Sequence, residues 1–127
     1  MNTRHVSTTD LLTTARATLI EVVLPELGGA RLYECRMIAR AISIVERELE
    51  HGAALASIEA KSLSEIMARH GLAQMTPGHA RSLLAGFIRK GVFDGADTAQ
   101  LQMLDALRRI TKARLVISNP KVLRDDQ

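Results

Sequence analysis

The sequence predicts an all-α fold, a single-domain antiparallel bundle of about five amphipathic helices spanning residues 1–127. Three observations carry this. Apolar side chains recur at helical spacing in every long segment, cap residues and glycines punctuate those segments, and no alternating strand pattern or internal repeat interrupts them. At 127 residues the chain has the size of one domain. With 46% apolar and 24% charged residues it has the balance of a globular chain, so disorder is expected only in the tails, 1–7 and 121–127.

Ser7 and Asp10 have the spacing of a capping box and open a first helix, about Thr8 to Leu24. Its stripe is Leu11, Leu12, Ala15, Leu19, Val22 and Val23, and Pro25 with Gly28 and Gly29 ends it. The second helix, about Ala30 to His51, carries Ile38, Ala41, Ile42, Val45 and Leu49 on one face, widened by Met37 and Ile44. It reads as the best core helix, with Gly52 at its left-handed cap. A third, about Ala53 to His70, presents Leu55, Ile58, Leu63 and Ile66 in a broken stripe and stops at Gly71.

Thr76 and Pro77 look like a cap followed by proline at the first helical position, and this fourth helix runs to Lys90. Ala80, Leu83, Leu84, Phe87 and Ile88 form its stripe, and Gly91 ends it. Asp97 and Gln100 repeat the cap spacing before a last helix through Leu101, Leu104, Leu107, Thr111 and Leu115, which Asn119 and Pro120 terminate. Each helix alone is marginal in water, so burial of the stripes must stabilise them.

Composition narrows the function classes. An aromatic share of 2% leaves few stacking platforms for single-stranded nucleic acid, and a net charge of +3, spread over every segment among acids, reads as a solvated surface. Nucleic acid is therefore not the expected partner. A helix-turn-helix over Leu63–Val92, with Arg81, Arg89 and Lys90 near DNA, would need a tighter turn than the stretch from Gly71 to Thr76. Cys35 is alone, so no internal disulfide is expected and a reducing compartment is the simpler inference. The polar start, Met1 to Asp10, lacks the apolar stretch of a secretion signal, and no segment approaches the ~20 apolar residues of a membrane span, so the expected location is the cytoplasm.

No catalytic constellation, metal cluster or cofactor motif is readable, so an enzyme is the less favoured class. At about 100° per residue, Tyr33, Arg36, Arg40, Ser43 and Arg47 share one ridge of the second helix. Its functional reading is a grip on a phosphate or carboxylate, or on a protein partner. Its plainer reading is a solvated face tied to Glu46 and Glu50. Glu48 projects between Ile44, Ala41 and Val45, where a carboxylate needs a partner, and Arg108 or Arg114 on the last helix is the expected one, in a buried or half-buried ion pair. Glu48 and His51 also have the Glu-x-x-His spacing of di-iron bundles, but only one copy exists. His70 and His79 read as surface residues.

The stretches YECRMIARAISIVEREL, Tyr33 to Leu49, and RLVISNPKVL, Arg114 to Leu123, give the chain a resemblance to an uncharacterised bacterial family, domain of unknown function 6285. The resemblance matches Arg36, the run Arg47, Glu48 and Leu49, and the pair Asn119 and Pro120, and departs at Arg40, where family members have asparagine. It implies no established activity. It does imply an accessory role beside acyl-CoA dehydrogenase-like enzymes and aminoglycoside-phosphotransferase-like kinases, near which members are encoded. A non-catalytic interaction domain, able to self-associate into a homo-oligomer, is the first expectation. An anion-binding bundle using Arg36, Arg40 and Arg47, with Tyr33 at its edge, is the second.

Overall fold

The computed structural model describes residues 6–125. The chain is all-α, with five α-helices and no strand among the described residues, as the periodicity predicts. They are α1 (Thr8–Thr18), α2 (Gly29–Arg69), α3 (Pro77–Arg89), α4 (Thr98–Ser118) and α5 (Pro120–Asp125). By its internal contacts the chain divides into two compact units, one up to Gly52 and one from Ala53 onward.

The helix starts follow the sequence closely. Ser7 Oγ accepts from the Asp10 amide at 3.1 Å while Asp10 Oδ2 accepts from the Ser7 amide at 3.3 Å, closing the capping box of α1. Thr76 caps α3 by accepting from the His79 amide, with Pro77 in the first turn, and Asp97 caps α4 by accepting from the Gln100 amide. The first helical run departs from α geometry near its end, widening into a single π turn over Leu19–Val23 and tightening into a 3-10 turn over Leu24–Glu26. Pro25 has no amide hydrogen and its ring crowds the carbonyl four residues back, so the α ladder cannot continue through it.

Two expectations about element boundaries are corrected. Gly52 does not cap a helix; α2 runs through it to Arg69, merging the second and third expected helices. A lone glycine costs a helix only about 1 kcal/mol relative to alanine, and the Ala53, Ala54, Leu55, Ala56 run beyond it propagates the helix with no proline or cap residue to stop it. At the other end, residues 121–125 are not a loose tail but part of α5, which Pro120 opens and which packs on α4. Residues 1–5 and 126–127 of the expected tails lie outside the described residues.

The true stops are Gly71 and Gly91, at φ 72° and 81°. After α2 the Leu72 amide donates to the Met67 carbonyl and the Gly71 amide to Ala68; after α3 the Val92 amide donates to Phe87 and the Gly91 amide to Ile88. Both are six-to-one and five-to-two Schellman closures, which need a residue at positive φ that glycine adopts without strain.

The core lies in the second unit. Leu63, Ile66 and Met67 from α2, Ala80 and Leu84 from α3, Phe93 from the following turn, and Met103, Ala106 and Ile110 from α4 form one buried cluster. His70 lies against its edge, 5.1 Å from the Phe87 ring and 5.5 Å from Phe93 between centroids. The stripe that looked interrupted in sequence thus supplies buried residues in its second half, Leu63 and Ile66, while Leu55 is half-buried and Ile58 41% exposed. The stripe that looked best is not buried: in the first unit only Ala39 is buried among the described residues, while Ile38, Val45 and Leu49 are each about half exposed.

Candidate functional site

The arginine ridge stands on α2 as its spacing requires, but its members do not converge. Tyr33 is 67% exposed, Arg36 and Arg40 are exposed, and Arg47 is half-buried, its charge acting on Glu46. Tyr33 and Arg47 lie roughly 21 Å apart along the helix axis at 1.5 Å per residue, so one small anion can meet Arg36 and Arg40 but not Arg47 as well. Glu46, which the plainer reading tied to the ridge, points to α1. Arg16 donates to it at 2.6 Å through Nε and Thr13 adds a hydroxyl donor at 3.2 Å. The Arg16 hydrogen bond outweighs the opposing effect of burial and holds the Glu46 carboxyl below its ordinary pKa; the same bond raises that of Arg16.

The expected buried ion pair at Glu48 is overturned. Glu48 is exposed, its carboxylate folded along the helix toward Gly52, where the missing side chain leaves room. Water solvates it, so it needs no cation. Arg108 is also exposed. Arg114 does form a half-buried ion pair, but with Glu59. His51, the second half of the Glu-x-x-His spacing, stands 3.7 Å from Glu50. Among the described residues, no three His, Cys, Asp or Glu side chains are grouped to hold a metal ion.

Glu59 is the feature that the sequence reading missed. Its side chain is only 12% exposed, and its Oε1 lies 2.8 Å from Arg114 Nη2 of α4 and 3.2 Å from Arg81 Nη1 of α3. One carboxylate therefore ties three helices together over Leu63, Leu84 and Ile110, beside a cavity of about 240 Å³. The signal was present: Glu59 falls in line with Ser62, Leu63 and Ile66 on the helical projection, so a carboxylate at that position had to meet a cation. Arg81 is spoken for by this contact, which removes one of the three cations of the helix-turn-helix reading.

Two surfaces among the described residues bear most on ligands or partners. In the second unit a groove of about 640 Å³ has an apolar floor of Ile58, Ala113, Val116 and Leu123. Lys61, Lys112 and Arg109 stand at its rim and the buried Ser62 in its wall. No carboxylate lines it, though Glu65 and Asp105 lie 3.5 and 3.4 Å from Arg109. In the first unit, α1 with its π turn and the first half of α2 expose Leu11, Val22, Ile38, Val45 and Leu49.

No helix among the described residues is long and apolar enough to cross a membrane. Among the described residues, fold and surfaces define a small all-helical protein with a buried core in its second unit and a half-exposed apolar stripe in its first. Residues 25–122 match the family described as Domain of unknown function (DUF6285), and the chain belongs to that family. The matched region contains all of α2, α3 and α4, with the ridge, Glu59 and the groove apart from Leu123, and leaves α1 outside. No curated protein and no solved structure matches the chain.

Proposed function

We propose that this protein is a non-catalytic helical accessory domain that works by docking to protein, and that the apolar flank of its first unit is the assembly surface. The observation that carries the reading is a helix, α2, whose best apolar stripe is left half exposed, with Ile38 at 52%, Val45 at 47% and Leu49 at 50%. Scattered single leucines on a surface are ordinary, but a contiguous stripe along two adjacent helices is characteristic of an interface. The partners proposed are the phosphotransferase-like kinase and acyl-CoA dehydrogenase-like enzymes beside which the family resemblance places such chains. The site of action proposed is the cytoplasm. Co-expression with each of these enzymes and affinity capture tests the reading. Capture of either, weakened at least tenfold when Ile38→Glu with Val45→Glu breaks the assembly that the flank builds, is the expected result; absence of any complex at micromolar concentration removes the partner assignment.

A second reading, a ligand-binding bundle, is favoured at the groove between Ile58 and Leu123 rather than on the ridge. An apolar floor under three cations suits an anionic amphiphile, and about 640 Å³ lies within the range of small-molecule sites. Dodecyl phosphate should then raise the melting temperature while dodecanol does not, and Lys61→Glu with Lys112→Glu should abolish the shift. No shift at millimolar dodecyl phosphate removes this reading.

A further inference from the structure

The first unit is short of a core. Among its described residues, α1, the π turn and α2 as far as Gly52 fully bury only Ala39; Leu12, Leu19, Leu32 and Ile42 are no more than half-buried, which is a thin interior for two paired helices. The Arg16–Glu46 ion pair links them, but a single partly buried ion pair offsets much of its own attraction by desolvation and contributes little beside apolar burial. The unit has the composition of half of a bundle.

The uncovered stripe on α2 has a definite period. Cys35, Ile38, Ile42, Val45 and Leu49 are spaced alternately three and four residues apart, the a and d pattern by which one helix packs knobs into the holes of another. Cys35 and Ile42 are half-buried; Ile38, Val45 and Leu49 are 52%, 47% and 50% exposed. Glu46 and Ala39 mark the side of α2 turned to α1, about a quarter turn away from this seam. On α1 the exposed Leu11 lies about 100° from Leu12 and about 140° from Arg16, displaced in the same sense along the sequence. For antiparallel helices of the same hand, these two displacements bring both stripes to one side of the pair.

We propose that this side is covered by a second copy of the chain, two hairpins closing face to face into a four-helix bundle about a two-fold axis. The proposal rests on the docking reading above and names the occupant of that surface. Two arguments select a second copy. A three-and-four seam flanked by a second apolar stripe is self-complementary, because an identical hairpin presents the same knobs, holes and length. The area also fits. The exposed portions of Leu11, Val22, Ile38, Val45 and Leu49 sum to roughly 500 Å², close to the apolar share of the ~800 Å² that each partner buries in a standard-size stable protein interface. Glu34 and Glu48 lie exposed at the rim, where carboxylates stay hydrated.

Sedimentation velocity on the full chain between about 1 and 100 μM tests this. The expected species has twice the 13.9 kDa chain mass, and the wild-type melting temperature rises with concentration, as unfolding coupled to dissociation requires. Ile38→Glu with Val45→Glu should yield a monomer, whereas Arg36→Glu, on the opposite side of α2, should leave the dimer intact. A wild-type monomer with a concentration-independent melting temperature overturns the proposal, and so does a dimer that the double variant leaves unchanged. If the double variant fails to fold, the wild-type mass and its concentration dependence still decide. A monomer that nevertheless captures a neighbouring enzyme through Ile38 and Val45 overturns self-association and leaves the docking reading standing. A monomer that captures nothing removes both.

Discussion

Removing the carboxylate of Glu59 should cost the second unit more than removing either arginine that meets it. Arg114 donates a charge-assisted hydrogen bond at 2.8 Å, whereas Arg81 approaches the same oxygen only as an ion pair at 3.2 Å. Both guanidinium groups are about half exposed, so each contact is screened, and the upper range for charge-assisted bonds must be discounted. Arg114→Ala should then cost about 1 to 1.5 kcal/mol and Arg81→Ala about 0.5 kcal/mol. Glu59→Ala loses both contacts, leaves two cations facing each other and opens space beside Leu63, for about 2 to 3 kcal/mol in total. The assay is urea unfolding followed by far-UV circular dichroism at one fixed protein concentration, with double-mutant cycles for the two pairs. The decisive quantity is the order of the coupling energies. A Glu59–Arg81 coupling equal to or above that of Glu59–Arg114, or both below about 0.3 kcal/mol, would refute the reasoning.

Three further outcomes follow from local chemistry. Gly52→Ala should stabilise α2 by about 0.5 to 1 kcal/mol, because the added methyl meets only the mobile end of Glu48, 3.0 Å away; a loss in urea midpoint would show that the glycine has a packing role. Gly91→Ala should destabilise by about 1 to 2 kcal/mol, and by more than Gly71→Ala, since both sit at positive φ but only Gly91 would bring its methyl within 2.8 Å of Asp94 Oδ2. Glu46 has a folded pKa below its unfolded one, so its contribution is fully present above the ordinary carboxylate range and is lost as pH falls through the folded value. The stability difference between wild type and Glu46→Gln should therefore be largest near neutrality and vanish in acid; a difference that grows as the pH falls would contradict the assigned pairing.

What the sequence disclosed and what it hid divide along the range of the interactions. Ser7, Thr76, Pro77, Asp97, Gly71 and Gly91 act within six residues, so helix starts and stops could be read directly. Gly52 misled because glycine permits a left-handed stop without compelling one, and the alanines after it decide otherwise. The stripes of α2 were legible as stripes. Periodicity shows that a face wants cover, but not whether α3 and α4 supply it, as for Leu63 and Ile66, or whether it stays open, as for Ile38 and Leu49. Arg114 was expected to meet Glu48 and meets Glu59 instead; its carboxylate is fixed by how α4 lies against α2, a register that no local pattern encodes. Glu48 and Glu59 compete equally on paper; packing chose the second. The ridge of Arg36, Arg40 and Arg47 was legible as geometry, while its role depends on a ligand or partner that spacing cannot name.

The paired Schellman closures at Gly71 and Gly91 bear on the order in which the molecule assembles. Each reverses the chain within a few residues, so α2, α3 and α4 meet with little loop-closure entropy to overcome. Helical proteins dominated by such near-neighbour contacts reach their native packing in microseconds to milliseconds. The cluster around Leu63 and Met103 should then form on that timescale, well before any step that waits for another molecule to arrive by diffusion.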